Sequence, residues 1–255
     1  VPFYFLLTTS LKTSAEASRV PITWFPQSVT SEHYRAALQQ GFPRALLNGL
    51  VYAGVGTVLA VYVSALIGFV VVKFPSRMGD LLFWMIQASS LVPLATYVVT
   101  LAGVEARFTR YTGIPMLNTF WGLILPRVVY GFGVFMMRQA MLAVPNELLE
   151  AARIDGASSG RQFMHVALPV VTPQTQTLLI LIFMGLYSEF LWPLVATSSQ
   201  SMQVLSVWLA ARVSPYGANP GHMAAFALLV LVPIVVVFLF GQRYIVEGIG
   251  LTGFK

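Results

Sequence analysis

Residues 45–72 run between Arg44 and Lys73 without one charged side chain. Nothing else in the chain constrains its fold as strongly. About twenty apolar residues in helix cross the hydrocarbon core of a bilayer, which is about 30 Å thick. Such a run is a membrane span or the centre of a very large core. The rest of the chain decides between them. Residues 81–104 and 222–242 are also free of charge. Residues 118–137 hold only Arg127, and residues 174–197 only Glu189. With the partial run at residues 1–9, this predicts about six spans. None alternates apolar with polar residues as a barrel strand does. Charged residues make up 9% of the chain, against about 25% in soluble domains. The predicted fold class is all-α, a single transmembrane domain over residues 1–255.

Nine helical residues at the start cover only about 14 Å. The chain opens on Val1, so "VPFYFLLTT" reads as the tail of a longer apolar helix, with residues expected before it. The net charge of +6 would point to nucleic acid in a soluble protein. Here no basic cluster or aromatic platform accompanies it, and no nucleic-acid partner is expected. The cations lie mostly between apolar runs, where they meet lipid headgroups or partner chains. With no cysteine, disulfides and thiolate metal sites are excluded. His33, His165 and His222 are too scattered to suggest a metal site.

The connectors differ in character. Residues 10–43 form a long one, with an interfacial helix expected at 31–40 that sets Tyr34, Ala37 and Leu38 on one side. Residues 73–80 read as a tight turn, and 105–117 and 198–221 as loops. Lys and Arg divide equally between the two sides of the membrane. The positive-inside rule therefore does not orient the chain.

One connector is unlike the rest. Residues 147–169, "ELLEAARIDGASSGRQFMHVALP", carry frequent charge between two apolar runs. Pro145 suits the first helical position. Glu147 and Glu150 lie near the positive helix end. Leu148, Ala151 and Ala152 are expected on one side, and Glu150 can reach Arg153. Gly156 suits the left-handed C′ position. Ser159 and Gln162 match a capping box for a second helix through Phe163, Val166 and Ala167. Pro169 and Pro173 turn the chain into the next span. On these grounds alone the segment is a helical polar loop or a docking handle.

"EAARIDGA" at 150–157, followed by Phe163 and by Leu168-Pro169, resembles the EAA motif of ABC importer permeases. "SLKTSAEA", "LNTFWGLILP", "SEFLWPL" and "GLTGFK" resemble other stretches of the carbohydrate-uptake permeases, which serve maltose, trehalose and glycerol-3-phosphate. The resemblance covers nearly the whole chain. It implies that residues 142–172 are a cytoplasmic coupling loop docked on a separate ATPase. The implied coupling residues are Glu147, Leu149, Glu150, Ala151, Ala152, Asp155, Gly156, Ala157 and Pro169, with Glu150 and Gly156 foremost. It implies as partners a homologous second permease, two copies of the ATPase and an extracytoplasmic solute-binding protein. It implies a multi-pass place in a bacterial or archaeal inner membrane. No cofactor is expected in this chain, since ATP and Mg²⁺ belong to the ATPase.

Other motifs weigh little. "GASSG" at 156–160 matches the nucleophile elbow, but a helix precedes it where the elbow needs a strand. No P-loop occurs, so the chain borrows its ATPase. Ala60, Ser64 and Gly68 form a small-residue ridge for helix packing. Arg127 and Glu189 are expensive in hydrocarbon and must face a partner or a cavity. Glu189 resembles the acid of a family "NEF" or "NEY" motif, with Ser188 in place of Asn. Either Arg127 pairs with Glu189 or with the partner permease, or it lines a solute path with Tyr97, Tyr130, Glu189 and Trp192. The alternative function is a self-sufficient carrier or channel, which needs several intramembrane acids. A membrane enzyme would need a nucleophile or metal set, and none is visible.

Overall fold

A computed structural model describes residues 2–212 and 219–250, with side chains through Tyr244. The "GLTGFK" stretch beyond Gly250 lies outside the described residues. The elements are α1 (Pro2–Ser10), α2 (Ser14–Ala17), α3 (Glu32–Gln39), α4 (Phe42–Lys73), α5 (Arg77–Ser90), α6 (Leu94–Thr112), α7 (Phe120–Ile124), α8 (Gly131–Leu142), α9 (Asn146–Ile154), α10 (Ser159–Gln162), α11 (Leu168–Val170), α12 (Thr172–Ser188), α13 (Leu191–Ala196), α14 (Leu205–Ala210) and α15 (Pro220–Gly250). No strand occurs among the described residues. The all-α membrane class holds.

Two helices are long and apolar enough to span alone, Phe42–Lys73 and Pro220–Tyr244. Three bent pairs bring the number of spans to as many as 5. The bends correct the sequence reading. Residues 81–104 are not one straight helix: α5 and α6 meet at 112°. Pro93 is the reason, because it disfavours helix in the residue before it and lacks an N–H. Ser89 and Ser90 turn their hydroxyls back onto the Ile86 and Gln87 carbonyls, at 2.8 and 2.7 Å. The expected loop at 105–117 is also mostly helix, ended by Gly113 at φ 75°. Glu105 is therefore buried in α6, and neither carboxylate oxygen has a hydrogen-bond partner. Residues 118–137 bend by 48° between the turn Leu125–Arg127, which holds Pro126, and α8.

The core forms where α4 packs on α8 and α12. The Ala60–Ser64–Gly68 ridge is buried in that contact. A Cβ on Gly68 would lie 2.8 Å from the Met137 carbonyl carbon. One on Gly133 would lie 2.7 Å from Ser64 Oγ. Only small residues allow backbones this close.

The resembling motifs have local physical jobs. Asn118, at φ 61°, accepts from the Ser198 and Ser199 amides at 3.1 and 3.0 Å. Thr119 caps α7 through the Gly122 amide. In "SLKTSAEA", Lys12 is buried and donates to the Thr23 carbonyl. Glu16 accepts from Thr23 Oγ1 and the Gln27 amide, both at 2.9 Å. The Gln27 amide is the main reason its carboxyl is held below the usual range. The interfacial helix α3 exists, but His33 and Ala37 face inward while Leu38 is exposed.

Candidate functional site

Residues 142–172 leave the bundle as α9, a turn, and α10 to α11. Pro145 is the N-cap residue of α9 and not its first helical residue. Leu149 faces the bundle and Ala152 is half-buried beside it. Leu148 and Ala151 face outward, which splits the side expected to hold both with Ala152. Ile154 is 86% exposed. Glu147, Glu150, Arg153 and Asp155 are exposed with them. No Glu150–Arg153 ion pair forms; among the described residues the ion pair is elsewhere.

Gly156 ends α9 at φ 82°. The Ala157 amide donates to the Ala152 carbonyl at 2.9 Å, and the Gly156 amide to Arg153 at 3.0 Å. This is a Schellman motif. The expected capping box does not form. Ser158 is the N-cap residue of α10, and Gln162 Nε2 donates to the Ala157 carbonyl at 3.0 Å. Gln162 thus closes the loop instead of capping. Pro169 is exposed in α11, and the chain then bends by 82° into α12.

Two contacts tie the segment to α4. The Phe163 ring sits 5.3 Å from Phe69 and 5.9 Å from Tyr62. Lys73 Nζ donates to the Val144 carbonyl at 2.6 Å and to Asn146 Oδ1 at 2.9 Å. Sequence reasoning treats Lys73 only as the bracket of a span. Its role depends on which chain end folds back beside it.

The second site lies within the spans. Arg127 Nη2 meets Glu189 Oε1 at 2.8 Å. Tyr52 donates to Glu189 Oε2, and Ser206 Oγ donates to the Glu189 carbonyl at 2.7 Å. Arg127 and Tyr52 therefore meet on the Glu189 carboxylate, and Ser206 holds its backbone where α12 stops. Of the two readings for Arg127, pairing with Glu189 is observed. Tyr97, Arg127 and Tyr130 also share the wall of a cavity of about 500 Å³. Trp192 does not join them. It is fully buried, and its indole N–H donates to the Leu123 carbonyl at 3.1 Å. Tyr52 has no distinguishing signal in its apolar run beyond its hydroxyl.

Helical spans of membrane length with a folded polar loop between them, among the described residues, define a multi-span membrane protein. Residues 36–249 match the family model described as "Binding-protein-dependent transport system inner membrane component". The chain belongs to that family. It is 29% identical over 258 residues to the arabinooligosaccharides transport system permease protein AraQ of Bacillus subtilis, covering all of this chain and 90% of that protein. It is 32% identical over 210 residues to the sn-glycerol-3-phosphate transport system permease protein UgpE of Yersinia pestis, covering 82% and 73%. The fold matches a chain of a bacterial ABC transporter "involved in the import of the acidic polysaccharide alginate" with TM-score 0.82, 16% identity, and 95% and 89% coverage. The methionine transporter MetNI matches at TM-score 0.59 and 19% identity, with 86% and 99% coverage. The resemblance to carbohydrate-type ABC importer permeases is borne out. The chain is a membrane transport subunit of a binding-protein-dependent system, not an enzyme.

Proposed function

We propose that this chain is one of two permease subunits of an ATP-driven importer for a sugar or sugar-like solute. The observation that carries the reading is the outward side of α9. Leu148, Ala151 and Ile154 are exposed on a charged helix that stands away from the spans. Apolar side chains grouped on such a surface call for a partner. A cytoplasmic ATPase supplies it, and two copies serve this chain and a homologous second permease. ATP and Mg²⁺ bind there, and this chain needs no cofactor of its own. An extracytoplasmic binding protein delivers the solute. The membrane is a bacterial or archaeal inner membrane, which the chain crosses several times.

In this reading residues 142–172 form the coupling loop within one domain of 1–255. Closure of the ATPases pushes α9. Phe163 and Lys73 pass the push to α4, and the bundle rocks between outward- and inward-facing states. Glu150 lies on the cleft edge between α9 and the end of α4, and Gly156 holds the turn that α9 needs. The likeness of AraQ and UgpE supports a carbohydrate-type solute. Glu150→Ala and Gly156→Val are expected to abolish uptake in proteoliposomes while ATP hydrolysis continues. Normal uptake in both variants contradicts the coupling role.

A further inference from the structure

We propose that the cavity at the helix breaks is a solute subsite of this subunit, built for a neutral polyhydroxy solute and against a phosphate or uronate. The inference rests on the importer reading and narrows its substrate class.

The cavity holds about 500 Å³, a usual size for a small-molecule site. Gln87, Ser90, Tyr97, Arg127, Tyr130 and Phe135 contribute to its wall. It opens where two helices are interrupted, between α5 and α6 and between the Leu125–Arg127 turn and α8. Backbone that leaves the helix at membrane depth is tolerated only when it is buried in protein or lines water. A polar wall at two such breaks does not face lipid, and its open volume is room for water and solute. Its shape is fixed by tight packing. A Cβ on Gly131 would lie 2.5 Å from Ser90 Cβ, and Gln87 Nε2 donates to the Gly131 carbonyl at 3.2 Å.

Charge selects the solute. Arg127 is the one Lys, Arg, Asp or Glu side chain on the wall among the described residues. Glu189 already neutralises it at 2.8 Å. An anion drawn to Arg127 must compete with Glu189, whose side chain is 9% exposed, and meets its negative charge beside the same guanidinium. Pulling Arg127 away would leave a buried carboxylate without its countercharge, which is strongly unfavourable. The Arg127 side chain is 20% exposed and keeps N–H donors beyond the one on Glu189. Tyr97 and Tyr130 add hydroxyls beside aromatic faces. Uncharged donors and acceptors beside aromatic rings match the hydroxyls and C–H faces of a glycan.

The test uses the complete transporter complex in detergent, without its binding protein. Saturation-transfer NMR reads contact with arabinotriose, maltotriose and sn-glycerol 3-phosphate. Transfer to a neutral trisaccharide is expected, falling about tenfold in Tyr97→Ala/Tyr130→Ala. The Tyr97→Phe/Tyr130→Phe pair keeps the rings, so its smaller loss separates contact from misfolding. The phosphate is expected to gain transfer only in Glu189→Gln. Transfer to the phosphate in the unaltered complex overturns the proposal. So does neutral transfer that the alanine pair leaves unchanged, or no transfer to any probe. ATP hydrolysis and uptake are read on the same complex reconstituted in proteoliposomes with its binding protein. Loss of their coupling in the unaltered complex counts against the importer reading. Coupled uptake with an ineffective alanine pair removes the subsite alone.

Discussion

At the scale of single residues, the energetics concentrate at Glu189 and Gly156. Arg127 and Tyr52 both serve the Glu189 carboxylate. Arg127→Ala leaves that carboxylate buried and unpaired, at a cost of about 3–5 kcal/mol. Thermal unfolding of the purified complex should show the loss, and adding Glu189→Gln should recover part of it. Equal melting of the single and double variants contradicts the pairing. Gly156 is different in kind, because nothing lies within 4 Å of a Cβ placed on it. Gly156→Ala therefore carries only the left-handed backbone penalty, about 1–2 kcal/mol. Faster hydrogen exchange at the Ala157 amide, which closes the Schellman turn, is the expected signature. This glycine is legible in the sequence because a glycine two positions past an amphipathic helix, with a polar loop after it, admits few roles. Trp192 is not legible. An aromatic residue three positions after an intramembrane acid fits a solute wall as well as a core, and only the Leu123 carbonyl beside it decides.

At the scale of elements, α4 is the beam on which the molecule is built. It has 32 residues, about 48 Å of helix, and touches the intramembrane network and the loops at both of its ends. Gly68→Leu is expected to separate α4 from α8 and prevent assembly, because the Met137 backbone cannot give way. Recovery of a normally folded complex would argue against this packing. Lys73→Met removes two charged hydrogen bonds, of order 3 kcal/mol together. The N-terminal amides of α9 should exchange faster, and uptake per ATP hydrolysed should fall, while the middle of α4 stays protected. Unchanged exchange at α9 contradicts the tether. The straight spans are legible because uninterrupted apolar length has one meaning in a bilayer. The breaks near Pro93 and Glu189 are not, because hydropathy ignores backbone direction. A proline-bent pair and a single span look alike in it.

At the scale of the whole molecule, the chain places a cap of residues 10–40, a bent intramembrane middle and the polar loop of residues 142–172 in series. The cap responds to acid. Glu16 has a folded pKa lowered from an ordinary 4.5. Its stabilisation is therefore present above that ordinary value and is lost as pH falls through the depressed one. Exchange protection around residues 12–30 should hold above about pH 5 and fail only in stronger acid, and Glu16→Gln should flatten the dependence. A cap equally labile at neutral pH contradicts this. The central claim concerns the other end, that α9 docks on an ATPase. The chain has no cysteine, so Ala151→Cys creates a unique thiol on the outward side of α9. The most direct measurement is cross-linking of that thiol in native membranes, followed by mass spectrometry of the product. The account predicts a product with a cytoplasmic ATPase whose yield changes when ATP is added. A thiol that labels freely in intact membranes and joins no ATPase would contradict it.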